Sequence, residues 1–232
     1  MSKSFFINKE IFIHFKKTYT SAPTRILWYD GSIIFKGESV PLKIQILYED
    51  NHLLLVEKPV NIPVQGDASG DLDFFTMLKN DIKHRHQKPG NVYLGLLHRL
   101  DRPVGGAMVF AKTSKSASRM SDMLRRHIIK RTYFAVVHGK PKEPSGILTH
   151  YLYKDRQKNQ VYSVKANHPE AKKAVLDYET LMTTNNFSLL KVHLHTGRSH
   201  QIRVQLATNG TPLFGDQKYG AKLNKPGQQI SL

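Results

Sequence analysis

A mixed fold of β-strands and a few helices, in one large domain or in one domain with a small appendage, is what this sequence predicts. Three observations carry that expectation. Short runs rich in β-branched and aromatic residues recur along the chain, bounded by Gly, Pro, Asn and Asp. Three longer stretches space their apolar residues at the helical period instead. The 232 residues are 40% hydrophobic with a mean hydropathy of −0.42, which describes an ordinary globular chain long enough to bury a core.

Residues 1–42 read as an N-terminal extension or small appendage without an assigned role. Residues 5–15 are apolar and basic with no clean period, and residues 25–37 read as a hairpin turned at Asp30-Gly31. The start lacks the apolar core of a secretory signal and the early arginine of a transit peptide, so neither is expected. From residue 43 the pattern tightens. Residues 43–47 alternate, and residues 53–56 form a short apolar run that ends at Glu57-Lys58-Pro59. A proline-bearing loop follows, and Asp71 or Asp73 can cap a helix whose Phe74, Phe75, Leu78 and Ile82 share a core-facing side. His84-Arg85-His86 then places positive charge at that helix's end, where it complements the dipole. The two histidines have no third ligand at metal-binding spacing, so they read as solvated and no metal site is expected.

Leu97-His98-Arg99-Leu100-Asp101-Arg102-Pro103-Val104-Gly105-Gly106 is the densest local signal. Apolar strand-like runs flank it, Pro103 disfavours helix at Arg102, and the glycine pair permits close backbone approach. Asp101 is therefore carried on a turn between buried elements, where functional residues concentrate. The residues alone leave it open between a turn aspartate capped by arginines and a functional carboxylate.

Thr113-Ser114 can cap a helix running to about Lys130. At 100° per residue Ala117, Met120, Leu124 and Ile128 fall on one side, and Lys115, Arg119, Arg126 and Lys130 form a stripe on the other. Asp122 is the one acid placed to pair with that stripe, so a phosphate-facing surface is preferred over a merely solvated one. Residues 132–139 read as a buried strand with Tyr133 near its start. Residues 140–170 form a lysine-rich excursion with strand-like stretches at 147–153 and 161–164, and residues 175–181 and 187–194 read as a strand pair. The last dense stretch, Thr196-Gly197-Arg198-Ser199-His200-Gln201-Ile202-Arg203, opens a helix with Ser199 as its cap and Asn209-Gly210 as its stop. Its start can grip a phosphate or pair with a buried carboxylate. His98 or His200 as a catalytic histidine is the rival idea, but no G-x-S-x-G elbow accompanies them.

A net charge of +17, with pI near 9.9, points to an acidic partner, and nucleic acid is preferred over a membrane surface. No apolar run approaches the length that spans a bilayer. With zero cysteines, thiolate catalysis and cysteine metal cages are excluded, and a reducing compartment is suited.

Taken together, His98-Arg99-Leu100-Asp101-Arg102, then Arg131-Thr132-Tyr133, then Gly197-Arg198-Ser199-His200-Gln201-Ile202-Arg203 resemble the RluA-type pseudouridine synthases. Tyr48-Glu49-Asp50, Glu57-Lys58-Pro59 and Pro212-Leu213-Phe214-Gly215-Asp216 are supporting matches, and the resemblance covers about residues 44–232. It implies an α+β fold, a bent mixed and largely antiparallel sheet with flanking helices, whose catalytic domain spans 43–232. It implies Asp101 as the nucleophile on the target uridine, Tyr133 beside the base and Arg203 as the ion-pair partner of Asp101, with attack at C1′ or C6 left open. RNA-binding positions would be Arg99, Arg102, Arg119, Arg126, Lys130, Arg198 and His200. The implied protein is a cytoplasmic monomer acting on ribosomal or transfer RNA, with no membrane partner, metal or small-molecule cofactor. A catalytically inactive RNA-binding protein or RNA chaperone on the same fold is the alternative. Two departures stand out: Val104-Gly105-Gly106 replaces the family's Thr-Ser-Gly, and the chain stops at Ile230-Ser231-Leu232, where a further strand is expected.

Overall fold

The computed structural model describes residues 44–67 and 69–232 in full, and residues 27–29, 32–35 and 38–40 as strand backbone. Those three short strands, β1 (Leu27–Tyr29), β2 (Ser32–Phe35) and β3 (Glu38–Val40), form an antiparallel meander of their own. Tyr29 lies opposite Ser32, the register that a two-residue connection imposes. Asp30-Gly31 and residues 5–15 lie outside the described residues.

The body of the chain is α+β with antiparallel sheets and few helices. One sheet contains β4 (Gln45–Glu49), β5 (Leu53–Lys58), β6 (Gly95–Leu96) and β7 (Gly106–Ala111) in the order β4-β5-β7-β6. The other contains β8 (Thr132–His138), β9 (Ser145–Asp155), β10 (Gln160–Val164), β11 (Lys172–Thr183) and β12 (Phe187–Leu194) in the order β10-β9-β11-β12-β8. Both sheets feed one core. Leu54, Val56 and Phe110 of the first join Val137, Leu176, Leu190 and Val192 of the second in a single buried cluster. Period-two alternation explains the choice of residues, since Leu54 and Val56 of β5 and Val137 and Ala135 of β8 are every second side chain.

Helix α1 (Phe74–Arg85) closes this core with Phe74, Met77, Leu78 and Ile82. Asp73, not Asp71, is its cap, accepting a 2.9 Å hydrogen bond from the Thr76 backbone. Helix α2 (Ser114–Arg125) begins at Thr113 in a capping box with Ser116. It stops well short of Lys130. His127 adopts a left-handed φ of 57°, and the His127 and Ile128 amides return to the Leu124 and Met123 carbonyls at 3.2 and 2.9 Å. That is a Schellman ending built without glycine, so the apolar period continues past the point where the backbone leaves the helix. Ile128 is accordingly exposed rather than on a packed face. Helix α3 (Gln201–Thr208) has His200, in a left-handed conformation, and not Ser199 at its N-cap position, with no side-chain capping hydrogen bond. It ends as the sequence predicts, at Asn209 and a positive-φ Gly210.

At the β8 edge, residues 214 and 231 lie against the strand. The Phe214 amide donates to the Val136 carbonyl at 2.8 Å, Val136 donates to Ser231 at 3.0 Å, and Ser231 donates back to Phe214 at 3.0 Å. Gly215 makes this possible: at φ 79°, a Cβ there would lie 1.9 Å from the Gln229 carbonyl oxygen.

Candidate active site

The connection from β6 to β7 is the Asp101 turn. The Val104 amide donates to the Asp101 carbonyl at 2.9 Å, closing the chain around Arg102-Pro103, and buried Leu100 and Val104 anchor both sides. Gly105 runs against the end of β5, where a Cβ would meet Val60 Cγ1 at 3.0 Å and the Lys58 carbonyl at 3.2 Å. Beneath the turn lies Lys58, with none of its surface exposed. Its Nζ donates to the carbonyls of Pro59, Ile62 and Arg102 at 2.6, 2.8 and 3.2 Å. Burial pushes this ammonium down to about 7, while the negative charge of Asp101 works in the other direction. Lys58 thus ties the proline-bearing loop to the Asp101 turn. Nothing in the local pattern marks it for that role, because a lysine at a strand end ordinarily reads as solvated.

The Asp101 carboxylate, about a quarter exposed (27%), accepts from Nη1 of Arg203 at 3.1 Å. Arg203 is itself buried, and its other edge is held bidentately by Asp216, with Nε and Nη2 each 2.8 Å from a carboxylate oxygen. The Asp216 side chain is fully buried and also accepts from the Lys218 and Tyr219 amides. Burial alone would raise the Asp216 pKa, but Arg203 and those amides lower it overall. The Arg203 guanidinium is likewise raised: burial opposes its charge, and Asp216 followed by Asp101 more than restore it. Tyr219 lies with its ring 5.2 Å from the Arg203 guanidinium carbon, which limits the other directions the arginine could take. Asp216 is the site residue that motif reading quoted without giving it a task. The signal was available in principle: an arginine committed to a buried helix needs more counter-charge than one exposed turn aspartate supplies.

Tyr133 opens β8 on the same side as buried Ala135 and Val137, where the core gives way to a cleft. Burial raises its phenol pKa, with Arg131 lowering it and Asp101 raising it. Asp101, Tyr133 and Arg203 line this cleft together with Arg99, Arg198 and His200, and Leu232 sits at its edge. Arg119, Arg126 and Lys130 are not among the lining residues. Arg126 reaches Asp122 at 3.5 Å, and Lys130 has left the helix and the stripe assigned to it.

Three of the expected roles look different in three dimensions. Arg102 faces the 61–71 loop: Nε donates to the Asn61 carbonyl at 3.1 Å, Nη1 to Ser69 at 3.0 Å, and Nη2 pairs with Asp71. His98 accepts the Val109 amide on Nε2 at 3.2 Å, and burial, aided by Arg131, lowers its pKa, so the ring serves packing. His200 Nδ1 lies 2.6 Å from the Tyr219 hydroxyl, which also accepts the Val161 amide at 2.9 Å. That contact occupies Nδ1 and seats the ring against Tyr219. Burial pushes His200 down to about 4, against a pull upward from Asp101, so it is a neutral ring and not a phosphate-binding cation at neutral pH.

The sign of that shift sets a pH test. An unfolded histidine protonates near pH 6.5, roughly its ordinary value, while His200 in the fold waits until about 4. Between those values the unfolded chain binds the extra proton, so acidification from 6.5 toward 4 destabilises the fold. In His200→Gln the urea midpoint should therefore fall less steeply over that range than in the parent chain. An identical pH slope would mean that the imidazole is charged in the fold.

Residues 52–208 match the family described as RNA pseudouridylate synthase. A ribosomal large subunit pseudouridine synthase C from Rickettsia bellii is 29% identical over 214 residues, 91% of this chain and 68% of that protein. A ribosomal large subunit pseudouridine synthase D from Pasteurella multocida is 33% identical over 200 residues, 85% of this chain and 58% of that protein. An RNA pseudouridine synthase from Bacillus subtilis is 34% identical over 181 residues, again spanning 58% of its length. Among solved structures, human RNA pseudouridylate synthase domain containing 4 superposes with a TM-score of 0.65 at 27% identity, covering 75% of this chain and 68% of that one.

Proposed function

This chain belongs to the RNA pseudouridylate synthase family, and from that premise we propose that it isomerises specific uridines of structured RNA, ribosomal or transfer, to pseudouridine. One observation carries the reading: a partly exposed carboxylate, Asp101, is held at 3.1 Å by an arginine that a second, fully buried carboxylate fixes in place. An arrangement that positions one carboxylate so firmly at the wall of a cationic cleft suits a nucleophile more than a solvent-facing ion pair.

In this reading the target uridine leaves its stack and enters the cleft, as chemistry on a base requires. Asp101 attacks, the N1–C1′ bond breaks, and the uracil turns to present C5. C5 bonds to C1′, the bond made by Asp101 breaks to return the free carboxylate, the proton on C5 departs, and N1 regains a proton, so the reaction is an isomerisation without redox change. Tyr133 stacks beside the base and is placed to assist loss of that proton. Arg203 compensates the charge of Asp101 and fixes its direction. Arg99 and Arg198 contact RNA at the cleft mouth, and His200 offers a neutral ring there. Arg119 and Arg126 form a more distant phosphate-facing surface, from which Lys130 is displaced by the helix end at His127. Arg102 is reassigned from RNA contact to bracing the 61–71 loop, because its guanidinium is already occupied there.

We propose that it acts as a monomer. The chemistry as written calls for no cofactor, and we place the protein in the cytoplasm with its RNA. Pseudouridine mapping of cellular RNA with and without the protein tests the reading. At least one uridine should lose its modification when the protein is absent. No lost site, together with no product on ribosomal or transfer RNA in vitro, would favour the inactive RNA-binding alternative.

A further inference from the structure

Beside the Asp101 cleft, the sheet face that α3 covers changes character. Residues directly opposed in antiparallel strands share a face, and the register pairs Lys172 with Leu152 and Lys154 with Val161. Under α3 this face is apolar: Leu152, Val161 and Ala174 pack with Val204 in a small buried cluster. One step further out on the same face, Lys154 follows Leu152 along β9 and Lys172 precedes Ala174 on β11. The floor thus turns from apolar to cationic where the helix ends.

A cavity of ≈ 460 Å³ opens there, lined by Lys154, Arg156, Lys172 and Arg198, with Glu170 as its one carboxylate. Arg198 forms the wall: Nε donates to the Lys173 carbonyl at 3.0 Å, and its terminal nitrogens have no protein partner among the described residues. No ion pair within 4 Å engages any of these four cations among the described residues. Like charges gathered without counter-ions repel, so the arrangement is eased by an anion in the groove. Arg198 also lines the Asp101 cleft, so the two hollows share a wall. Among the described residues no aromatic ring lines the groove, so it offers bases no aromatic platform.

We propose that this groove holds the sugar–phosphate backbone of the RNA strand on one side of the uridine presented to Asp101, with Lys154, Arg156, Lys172 and Arg198 as phosphate contacts. The inference rests on the reading of the Asp101 cleft as the uridine site. Contacts of this kind fix register and carry affinity without reading sequence.

The test compares Lys154→Ala/Lys172→Ala with a charge-matched control, Lys222→Ala/Lys225→Ala, whose lysines are exposed and outside the groove. All four substituted side chains are exposed, so both variants should keep the parental melting temperature. On an RNA that the parent modifies, the groove variant should raise KM about tenfold with kcat within about twofold, as loss of phosphate contacts predicts. Its slope of log K against log salt should shrink by roughly 1.4–1.8, at 0.7–0.9 per contact. A KM and slope equal to those of the control would overturn the proposal. If the parent forms no pseudouridine on any RNA, the proposed function fails, and RNA affinity and its salt slope still decide the groove. Inorganic phosphate titrated alone is the second arm. Saturable phosphate binding lost in the groove variant while RNA affinity stays parental would assign the groove to a free anion and overturn the RNA proposal.

Discussion

Asp101→Asn should lose pseudouridine formation by at least about 10³-fold, the order of loss that follows removal of an essential nucleophile, while RNA affinity stays within about threefold of the parent. The substitution is nearly isosteric. The asparagine carbonyl oxygen can still accept from Arg203 Nη1, so the 3.1 Å contact and the turn around Arg102-Pro103 have every reason to survive. What disappears is the anionic oxygen proposed to attack the sugar or base. Binding should change little, and in a favourable direction: a negative charge is removed from a wall that faces phosphates in a chain of net charge +17. Product yield by pseudouridine mapping, set beside a filter-binding isotherm at fixed salt, checks both halves. Full activity in this variant would remove Asp101 from the chemistry. A loss of affinity parallel to the loss of product would make it a positioning group for RNA.

The legibility of this site follows from how far each signal reaches along the chain. Asp101 is legible because its turn is local: a proline, two glycines and apolar flanks lie within a few residues of it. Arg203 is legible because it sits in a short, dense helical segment. Each alone is weak, and it is their co-occurrence with Tyr133 that singles them out. Lys58 and Asp216 are harder to read for opposite reasons. Lys58 lies at a strand end where its neighbours suggest solvent, and only the tertiary fold places three carbonyls around its Nζ. Asp216 follows a Pro-Leu-Phe-Gly run that looks like a surface turn, and its burial depends on the chain around residue 229 passing over Gly215. The strand pattern of the second sheet is read well because alternation is a property of each strand by itself. The end of the second helix is misread, because His127 takes the left-handed conformation that sequence patterns reserve for glycine, whereas the ends at His86 and Asn209 fall where the sequence places them. The missed end at His127 is what moves Lys130 off the stripe.

Arg203 carries the second large effect, and the structure changes what removing it should do. From sequence alone the expectation is a loss of turnover greater than the loss of RNA binding. The geometry adds a folding penalty, because Arg203→Ala strands the fully buried Asp216 carboxylate with only backbone amides as donors. Breaking a buried pair from one side costs about 3–5 kcal/mol, a large share of the roughly 5–15 kcal/mol that holds a typical domain together. Arg203→Ala should therefore melt markedly lower and give little soluble protein, which obscures any catalytic role. Two further variants separate the effects. Arg203→Lys keeps the charge but cannot span Asp216 and Asp101 with one rigid fork, so it should fold and lose about 10²-fold in kcat from misplacement of the carboxylate. Arg203→Met/Asp216→Leu removes both buried charges, and such replacements are often neutral or stabilising by roughly 1–4 kcal/mol. That double variant should regain most of the melting temperature lost in Arg203→Ala and none of the product. Thermal melts and single-turnover rates on one RNA substrate check the set. Activity restored along with stability in the double variant would show that Arg203 serves the fold alone, and that Asp101 acts without the partner the geometry gives it.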